Sequence, residues 1–123
     1  MSSIQEQDIN AMKKALTRCK KNFTRYFNSA GRQTAFASQH PSDVAAAEVR
    51  TRLERVKKSF GELIAILDDL QSAPESTDAE LDAYEESKES AQQRYKDIMQ
   101  RILTTIQEIQ TLPATLALSL IHI

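Results

Sequence analysis

The fold of this chain is decided by residues 49–70, VRTRLERVKKSFGELIAILDDL. Apolar residues follow one another there at alternating steps of four and three: Val49, Leu53, Val56, Phe60, Leu63, Leu67 and Leu70. A helix of about 3.6 residues per turn brings such positions onto one stripe, and this spacing is typical of a seam that faces another helix. One stripe is marginal in isolation, so the stretch predicts a helix that packs against other helices.

Two further stretches carry apolar residues at similar spacing. The first stripe consists of Ile9, Met12, Leu16, Cys19, Phe23 and Tyr26. The third runs from Leu81 to Ile109 and is interrupted by the charged Lys88 and the small Ala91, so we expect looser packing there.

Capping and helix-breaking residues predict where the helices begin and end. The run Asn28-Ser29-Ala30-Gly31 combines weak helix formers with a glycine, and it predicts the end of the first helix. Ser42 after Pro41 is a typical N-cap, and Thr77 with Glu80 has the form of a capping box. We therefore predict helices over approximately residues 4–28, 42–72 and 77–110.

These elements predict an all-α fold, an elongated antiparallel three-helix bundle with coiled-coil-like seams, over residues 1–110. The first helix returns to the other two through a linker, residues 28–41. Residues 111–123 form an apolar tail, since Pro113 is expected to stop the third helix. Residues 118–123, LSLIHI, resemble the translation of a transposase mosaic-end adaptor used in sequencing libraries. We expect them to be an artefact, and the chain to be part of a longer protein.

Composition excludes several classes of protein. With only two glycines, three prolines and 6% aromatic residues, the 123-residue chain is unsuited to an all-β fold built from many short turns. Its single cysteine, Cys19, rules out an intramolecular disulfide. The sequence shows no signal peptide and no apolar run long enough to cross a bilayer. We expect a soluble intracellular protein, in the cytoplasm, without a membrane partner.

Charge is unevenly distributed although the formal net charge is only −1. Residues 9–42 hold seven basic and no acidic residues, whereas residues 74–110 hold nine acidic and four basic ones. At about 100° per residue, four of the cations fall on one line along the first helix, opposite its apolar stripe. We call this line the basic ridge: Lys14, Arg18, Lys21 and Arg25. We interpret it first as a solvated face, or one attracted to the acidic third helix, and keep a contact for nucleic-acid phosphates or an acidic protein surface as the alternative.

No pattern in the sequence indicates catalysis. Cys19 lies on the apolar stripe and is expected to be a buried small hydrophobe, and His40 has no cluster of metal ligands near it in sequence. The adjacent carboxylates at 68–69 and 85–86 point in different directions on a helix, and no phosphate-binding or nucleophile motif is present. We predict a protein that is not an enzyme and has no cofactor, metal or small-molecule substrate.

Three segments resemble a known family. They are residues 13–18, KKALTR, residues 48–60, EVRTRLERVKKSF, and the acidic stretch from Tyr84 to Tyr95. Together they resemble the N-terminal helical domain of unknown function in Bel/Pao retrotransposon (Gag-Pol-like) polyproteins, over residues 9–109. The resemblance implies a Gag-like region upstream of zinc-knuckle, protease and reverse-transcriptase parts. It implies no catalytic residue, because the similar region is not an enzymatic one.

The function expected from the sequence is association with other proteins, foremost self-assembly of a Gag-type polyprotein. Partly uncovered seam residues would form the assembly surface, and the basic ridge and the acidic third helix would offer complementary patches between copies. Two alternatives stay open. One is nucleic-acid binding through the basic ridge, and the other is a host adaptor domain of spectrin-like or syntaxin-like three-helix form that binds another helical protein.

Overall fold

Three α-helices make up the part of the chain that the structure describes. The computed structural model describes the backbone of residues 2–121 and the side chains of residues 8–111. Helix α1 spans Ser2–Gln39, α2 spans Asp43–Gln71 and α3 spans Asp78–Ile121. Since a helix rises about 1.5 Å per residue, α3 is about 66 Å long and the molecule is elongated. The predicted all-α three-helix bundle is confirmed.

Helix α2 runs antiparallel to both of its neighbours. Only three residues, 40–42, connect it to α1, so the chain reverses direction there. On the other side, Lys88 near the start of α3 pairs with Asp68 near the end of α2 at an N–O distance of 2.6 Å. Helices α1 and α3 are therefore parallel, and the Lys13–Glu80 pair joins their amino-terminal parts at 2.8 Å.

Buried residues repeat at seven-residue intervals on every helix. On α1 they are Leu16, Phe23, Ala30 and Ala37. On α2 they are Val49, Val56, Leu63 and Leu70. On α3 they are Tyr84, Ala91, Ile98 and Thr105. A seven-residue repeat keeps one face of each helix toward its neighbours along the whole contact, as coiled-coil-like seams require.

Aromatic side chains join the three helices at mid-height. Phe60 of α2 lies 6.0 Å from Phe23 of α1, measured between ring centroids. On its other side Phe60 stacks on Tyr95 of α3, with centroids 4.3 Å apart and planes 6° apart. Because these contacts involve one residue of each helix, they fix the vertical register of the bundle.

Both predicted amino-terminal caps form. The backbone of Ser42 is extended, and its hydroxyl accepts a hydrogen bond from the N–H of Ala45 at 3.0 Å, so α2 begins one residue later. At the start of α3, the N–H of Thr77 donates to the Glu80 carboxylate at 3.1 Å, and the N–H of Glu80 donates to the Thr77 hydroxyl at 3.2 Å. Two donors without helical partners are thus satisfied reciprocally.

The predicted end of the first helix near residue 28 is wrong, because α1 continues to Gln39. The segment taken for a linker, residues 28–41, is helical over most of its length. Its core-facing positions are the small residues Ala30, Thr34 and Ala37, all of which are buried. They extend the seven-residue repeat of Leu16 and Phe23, but a search for large apolar residues does not detect them. Tertiary packing thus overrides the weak helix propensity of Asn28, Ser29 and Gly31.

The predicted end of the third helix at residue 110 is also wrong, since α3 continues through Pro113 to Ile121. A proline inside a helix removes one N–H donor and clashes with the preceding turn, at a cost of about 3 kcal/mol, and this can kink a helix without ending it. The side chains of the expected apolar tail lie outside the described residues from 112 onward. Within the proposed adaptor-derived segment, residues 122–123 lie outside the described backbone as well.

Candidate interaction surfaces on helices α1 and α3

The four residues of the basic ridge lie on the outward face of α1. Lys14, Arg18, Lys21 and Arg25 are all exposed, whereas Leu16 and Phe23, on the opposite face, are buried. The guanidinium of Arg25 lies 5.3 Å from the centroid of the Tyr26 ring, which is within range of a cation–π contact. The continuous helix therefore holds the four cations in a straight line of about 17 Å.

Two residues that the sequence analysis did not assign to the basic ridge continue its line. Arg32 follows Lys14 by 18 residues, which is five full turns at about 100° per residue. Phe36 follows Arg32 by one further turn, and its side chain is 52% exposed. Both lie on helix because α1 extends to Gln39. The outward face of α1 thus carries five cations over about 27 Å and ends in an exposed aromatic ring.

The basic ridge is not used for ion pairing within the chain. Among the side chains of residues 8–111, none of its four residues forms a salt bridge. Lys13, one position away, behaves differently. Its ammonium group donates a hydrogen bond to Glu80, and this contact, together with the N–H of Thr77, lowers the pKa of Glu80 to about 2. Lys13 therefore helps to join α1 to α3, whereas the four cations of the ridge face outward.

Helix α3 carries an acidic counterpart on its own outward face, which we call the acidic stripe. It consists of Asp82, Glu86, Glu89 and Asp97, all exposed. At about 100° per residue the four lie within about 80° of one another, opposite the buried face of α3. Three exposed cations of α3 lie beside the stripe: Lys96, Arg94, which lines a groove with Glu86, and Arg101, which lines a groove with Asp97.

Lys88 interrupts the third apolar stripe, and the structure explains how the bundle accommodates it. The Lys88 ammonium group pairs with the Asp68 carboxylate at 2.6 Å and donates to the side-chain oxygen of Gln71 at 3.1 Å. The hydrogen bond to Asp68 raises the pKa of Lys88, with burial opposing it. Lys88 thus bridges α3 to α2 and does not neutralise the acidic stripe.

Two of the grooves beside α1 border the basic ridge or α3. One, of about 500 Å³, is lined by α1 alone, including Lys21, Arg25 and Arg32. The other, of about 420 Å³, lies between α1 and α3, with Phe23 and Leu63 among its lining residues. The first groove is a shallow feature of a single helix surface, and it belongs to the same basic face as the ridge.

Exposed large apolar side chains concentrate near the α1–α2 connection. Phe36 lies four residues before His40 and contacts its ring at a centroid distance of 5.0 Å. Val44, in the first turn of α2, is 77% exposed, and Leu103 of α3 is 52% exposed. Single exposed apolar residues are normal on a protein surface. Phe36 differs from the other two because it lies in line with the basic ridge.

Neither Cys19 nor the possible metal ligands among the described residues form a site for catalysis or metal binding. Cys19 is half-buried, and burial raises the pKa of its thiol, which disfavours the nucleophilic thiolate at neutral pH. Within the part of the chain that the structure describes, no group of three His, Cys, Asp or Glu residues is placed to hold a metal ion. Over the same residues, no helix combines the length and the apolar character needed to cross a membrane.

The sequence pattern identifies the four ridge residues as a candidate contact surface. It does not assign Arg32 or Phe36 to that surface, and it does not identify the acidic stripe. The first two were missed because the helix was expected to end near residue 28. The seven-residue spacing of Leu16, Phe23, Ala30 and Ala37 was the available signal for a longer helix. Comparison with models of protein families, with curated proteins and with solved structures finds no match to this chain.

Proposed function

We propose that this chain is a non-enzymatic, Gag-like helical assembly module of a retrotransposon polyprotein, which acts by associating with other copies of itself. The observation that carries the proposal is the presence of two outward-facing surfaces of opposite charge, the basic ridge on α1 and the acidic stripe on α3. Electrostatic complementarity of this kind steers association and selects partners. The resemblance of residues 9–109 to the Bel/Pao N-terminal domain supports the Gag-like identity.

The exposed apolar residues at the α1–α2 end favour association for a second reason. Covering Phe36 or Leu103 in an interface would remove apolar surface from water, at about 25 cal/mol per Å² buried. Charge alone gives modest affinity because exposed ion pairs contribute about 0–1 kcal/mol each. Apolar burial would therefore add to the affinity that the complementary charges provide, and the outward face of α1 offers the two together.

Sedimentation velocity across a salt series tests the proposal. The Debye length falls from about 30 Å at 0.01 M salt to about 3 Å at 1 M, so electrostatic association must weaken steeply over this range. We expect oligomers at low salt and high protein concentration, and monomers at high salt. A strictly monomeric protein at low salt and high concentration would contradict the proposal.

A matched pair of variants separates the basic ridge from net charge. Replacing the ridge residues by glutamine removes four positive charges: Lys14→Gln, Arg18→Gln, Lys21→Gln and Arg25→Gln. The control removes four exposed cations from α2: Arg50→Gln, Arg55→Gln, Lys57→Gln and Lys58→Gln. Both variants have the same net charge, so the proposal predicts that only the ridge variant loses association at low salt.

Nucleic-acid binding is the second candidate, and the continuation of the ridge by Arg32 and Phe36 favours it. Five cations over about 27 Å can contact successive phosphates, and an exposed aromatic ring can stack on a base. Four phosphate contacts predict a slope of about −3.6 in the logarithm of the binding constant against that of the salt concentration for duplex DNA. Fluorescence anisotropy with labelled RNA and DNA measures this slope, and the ridge variant should abolish binding while the α2 control retains it.

The origin in a mobile element has its own test, which is the genomic neighbourhood of the coding sequence. A downstream frame that encodes protease and reverse-transcriptase motifs would support the retrotransposon proposal. A stop codon within an ordinary exon structure would contradict it and would favour a host adaptor domain.

A further inference from the structure

We infer that copies of this chain associate head to tail, with the basic ridge of one copy lying along the acidic stripe of the next. The inference deepens the proposed function and rests on it, since it specifies which two surfaces meet and what kind of assembly follows. The occupant of the outward face of α1 is thus α3 of a second copy.

The two surfaces belong to different corners of the bundle. In a three-helix bundle the outward directions of two helices diverge by roughly a third of a turn. The basic ridge lies opposite the buried face of α1, marked by Leu16 and Phe23, and the acidic stripe lies opposite the buried face of α3, marked by Tyr84 and Ile98. One neighbour covering the ridge therefore leaves the stripe of the same copy exposed.

The spacing of the charges matches between the two surfaces. The ridge residues follow one another at steps of four, three and four along α1. On α3, steps of four and three join Asp82, Glu86 and Glu89, and one further step of four reaches Gln93, a hydrogen-bond donor to Asp97 at 2.9 Å. Each pattern covers about 17 Å of helix. Two neighbouring helices can therefore align three cation–carboxylate pairs at once, with the fourth ridge cation opposite an amide.

Charge on the two surfaces is left unneutralised by the chain itself. No salt bridge among the described side chains uses a residue of the basic ridge or the acidic stripe. Lys88 is engaged by Asp68, and three cations beside the stripe remain exposed: Lys96, Arg94, which lines a groove with Glu86, and Arg101, which lines a groove with Asp97. The four carboxylates of the stripe still outnumber these three cations, so the face keeps an acidic excess that is complementary to the ridge.

A contact between two different surfaces of identical copies is heterologous. Each added copy brings one new basic ridge and one new acidic stripe, so association continues until the chain of copies closes into a ring or grows as an open filament. A symmetric dimer that uses the same patch on both copies would instead stop at two. The inferred contact therefore predicts assemblies larger than a dimer.

Mixing two neutralised variants tests the inference. The ridge variant described above keeps an intact acidic stripe. The stripe variant carries Asp82→Asn, Glu86→Gln, Glu89→Gln and Asp97→Asn and keeps an intact basic ridge. We expect each variant alone to be monomeric at low salt, because each lacks one half of the contact. Mixed in equal amounts, they can form only one junction, so sedimentation velocity should show a 1:1 heterodimer and nothing larger.

We expect both variants to fold, because all eight substitutions are at exposed positions. Circular dichroism and thermal melting check this. A variant that assembles alone as the unmodified chain does, or a mixture that stays monomeric while the unmodified chain assembles, would overturn the head-to-tail contact. Assembly that disappears on nuclease treatment would overturn it in favour of copies bridged by nucleic acid. A monomeric unmodified chain at low salt would instead contradict the proposed function itself, so the two failures are distinguishable.

Discussion

Replacement of Gly31 by alanine tests whether α1 continues past the point where sequence signals predict its end. In the structure Gly31 lies in the interior of α1, and its backbone φ is not positive. A β-carbon added there would lie 3.8 Å from Nη1 of Arg101, an ordinary van der Waals distance to the end of a flexible side chain. Alanine therefore fits without strain, and we expect Gly31→Ala to stabilise the protein.

The expected gain follows from helix propensity. Alanine is favoured over glycine in a helix interior by about 0.5–1 kcal/mol, because glycine loses more backbone entropy on folding. For a chain of this length the unfolding entropy scales to about 0.26 kcal/mol/K, so a gain of about 1 kcal/mol raises the melting temperature by about 4 °C. Gly31→Pro should have the opposite sign and cost about 3 kcal/mol, since proline removes a helical N–H and clashes with the preceding turn.

Thermal and urea unfolding, followed by circular dichroism, measure both changes. Gly61→Ala is the matched control, because Gly61 lies in the interior of α2 and a β-carbon there would meet no atom within 4 Å. Both alanine variants should gain stability by similar amounts. If Gly61→Ala stabilises while Gly31→Ala destabilises, or if Gly31→Pro is tolerated, residue 31 does not lie inside a helix and the α1 assignment is refuted.

Three further predictions concern contacts within the bundle. Phe60→Leu keeps an apolar side chain but loses both aromatic contacts, at about 1–2 kcal/mol, and Phe60→Ala should cost about 3 kcal/mol; urea unfolding of the two variants gives the comparison. Ser42→Ala removes the acceptor of the Ala45 N–H and should cost about 1 kcal/mol by the same measurement, and an unchanged stability would contradict the cap. The pKa of Glu80 is lowered from 4.5 to about 2, so its carboxylate stabilises the fold above its unfolded pKa and this stabilisation is lost as the pH falls through the folded value. In unfolding measurements across that window the unmodified chain should lose stability more steeply than Glu80→Gln, and parallel profiles would show that the pair makes no contribution.

The features of the helices that depend on a few neighbouring residues, their amino-terminal caps and the apolar stripe of α2, are predicted correctly from the sequence. The caps at Ser42 and at Thr77 with Glu80 depend on a hydroxyl or carboxylate that satisfies nearby N–H groups, so they can be read from a few neighbouring residues. The apolar stripe of residues 49–70 can also be predicted from one segment, because large apolar side chains at helical spacing indicate which positions are buried.

The two boundaries that were predicted wrongly depend on information that lies elsewhere in the chain. Residues 28–31 include the weak helix formers Asn28, Ser29 and Gly31, but Ala30 and Ala37 pack in the core contributed by all three helices. Small residues of this kind are buried because the neighbouring helices come close, and propensity alone does not register that. Because α1 was predicted to end near residue 28, Arg32 and Phe36 were not part of the predicted interaction surface.

Attraction between a basic first helix and an acidic third helix within one molecule is the simplest alternative explanation for the segregated charge. It predicts that the cations and carboxylates meet across the α1–α3 contact. Among the side chains of residues 8–111 there is one such pair, Lys13 with Glu80, at the edge of that contact. The basic ridge and the acidic stripe instead lie on the outward faces, where a charge at distances beyond about 10 Å is largely screened at 0.1 M salt. Intramolecular attraction therefore accounts for the Lys13–Glu80 pair, and the outward charges stay available for the contact between copies that we propose.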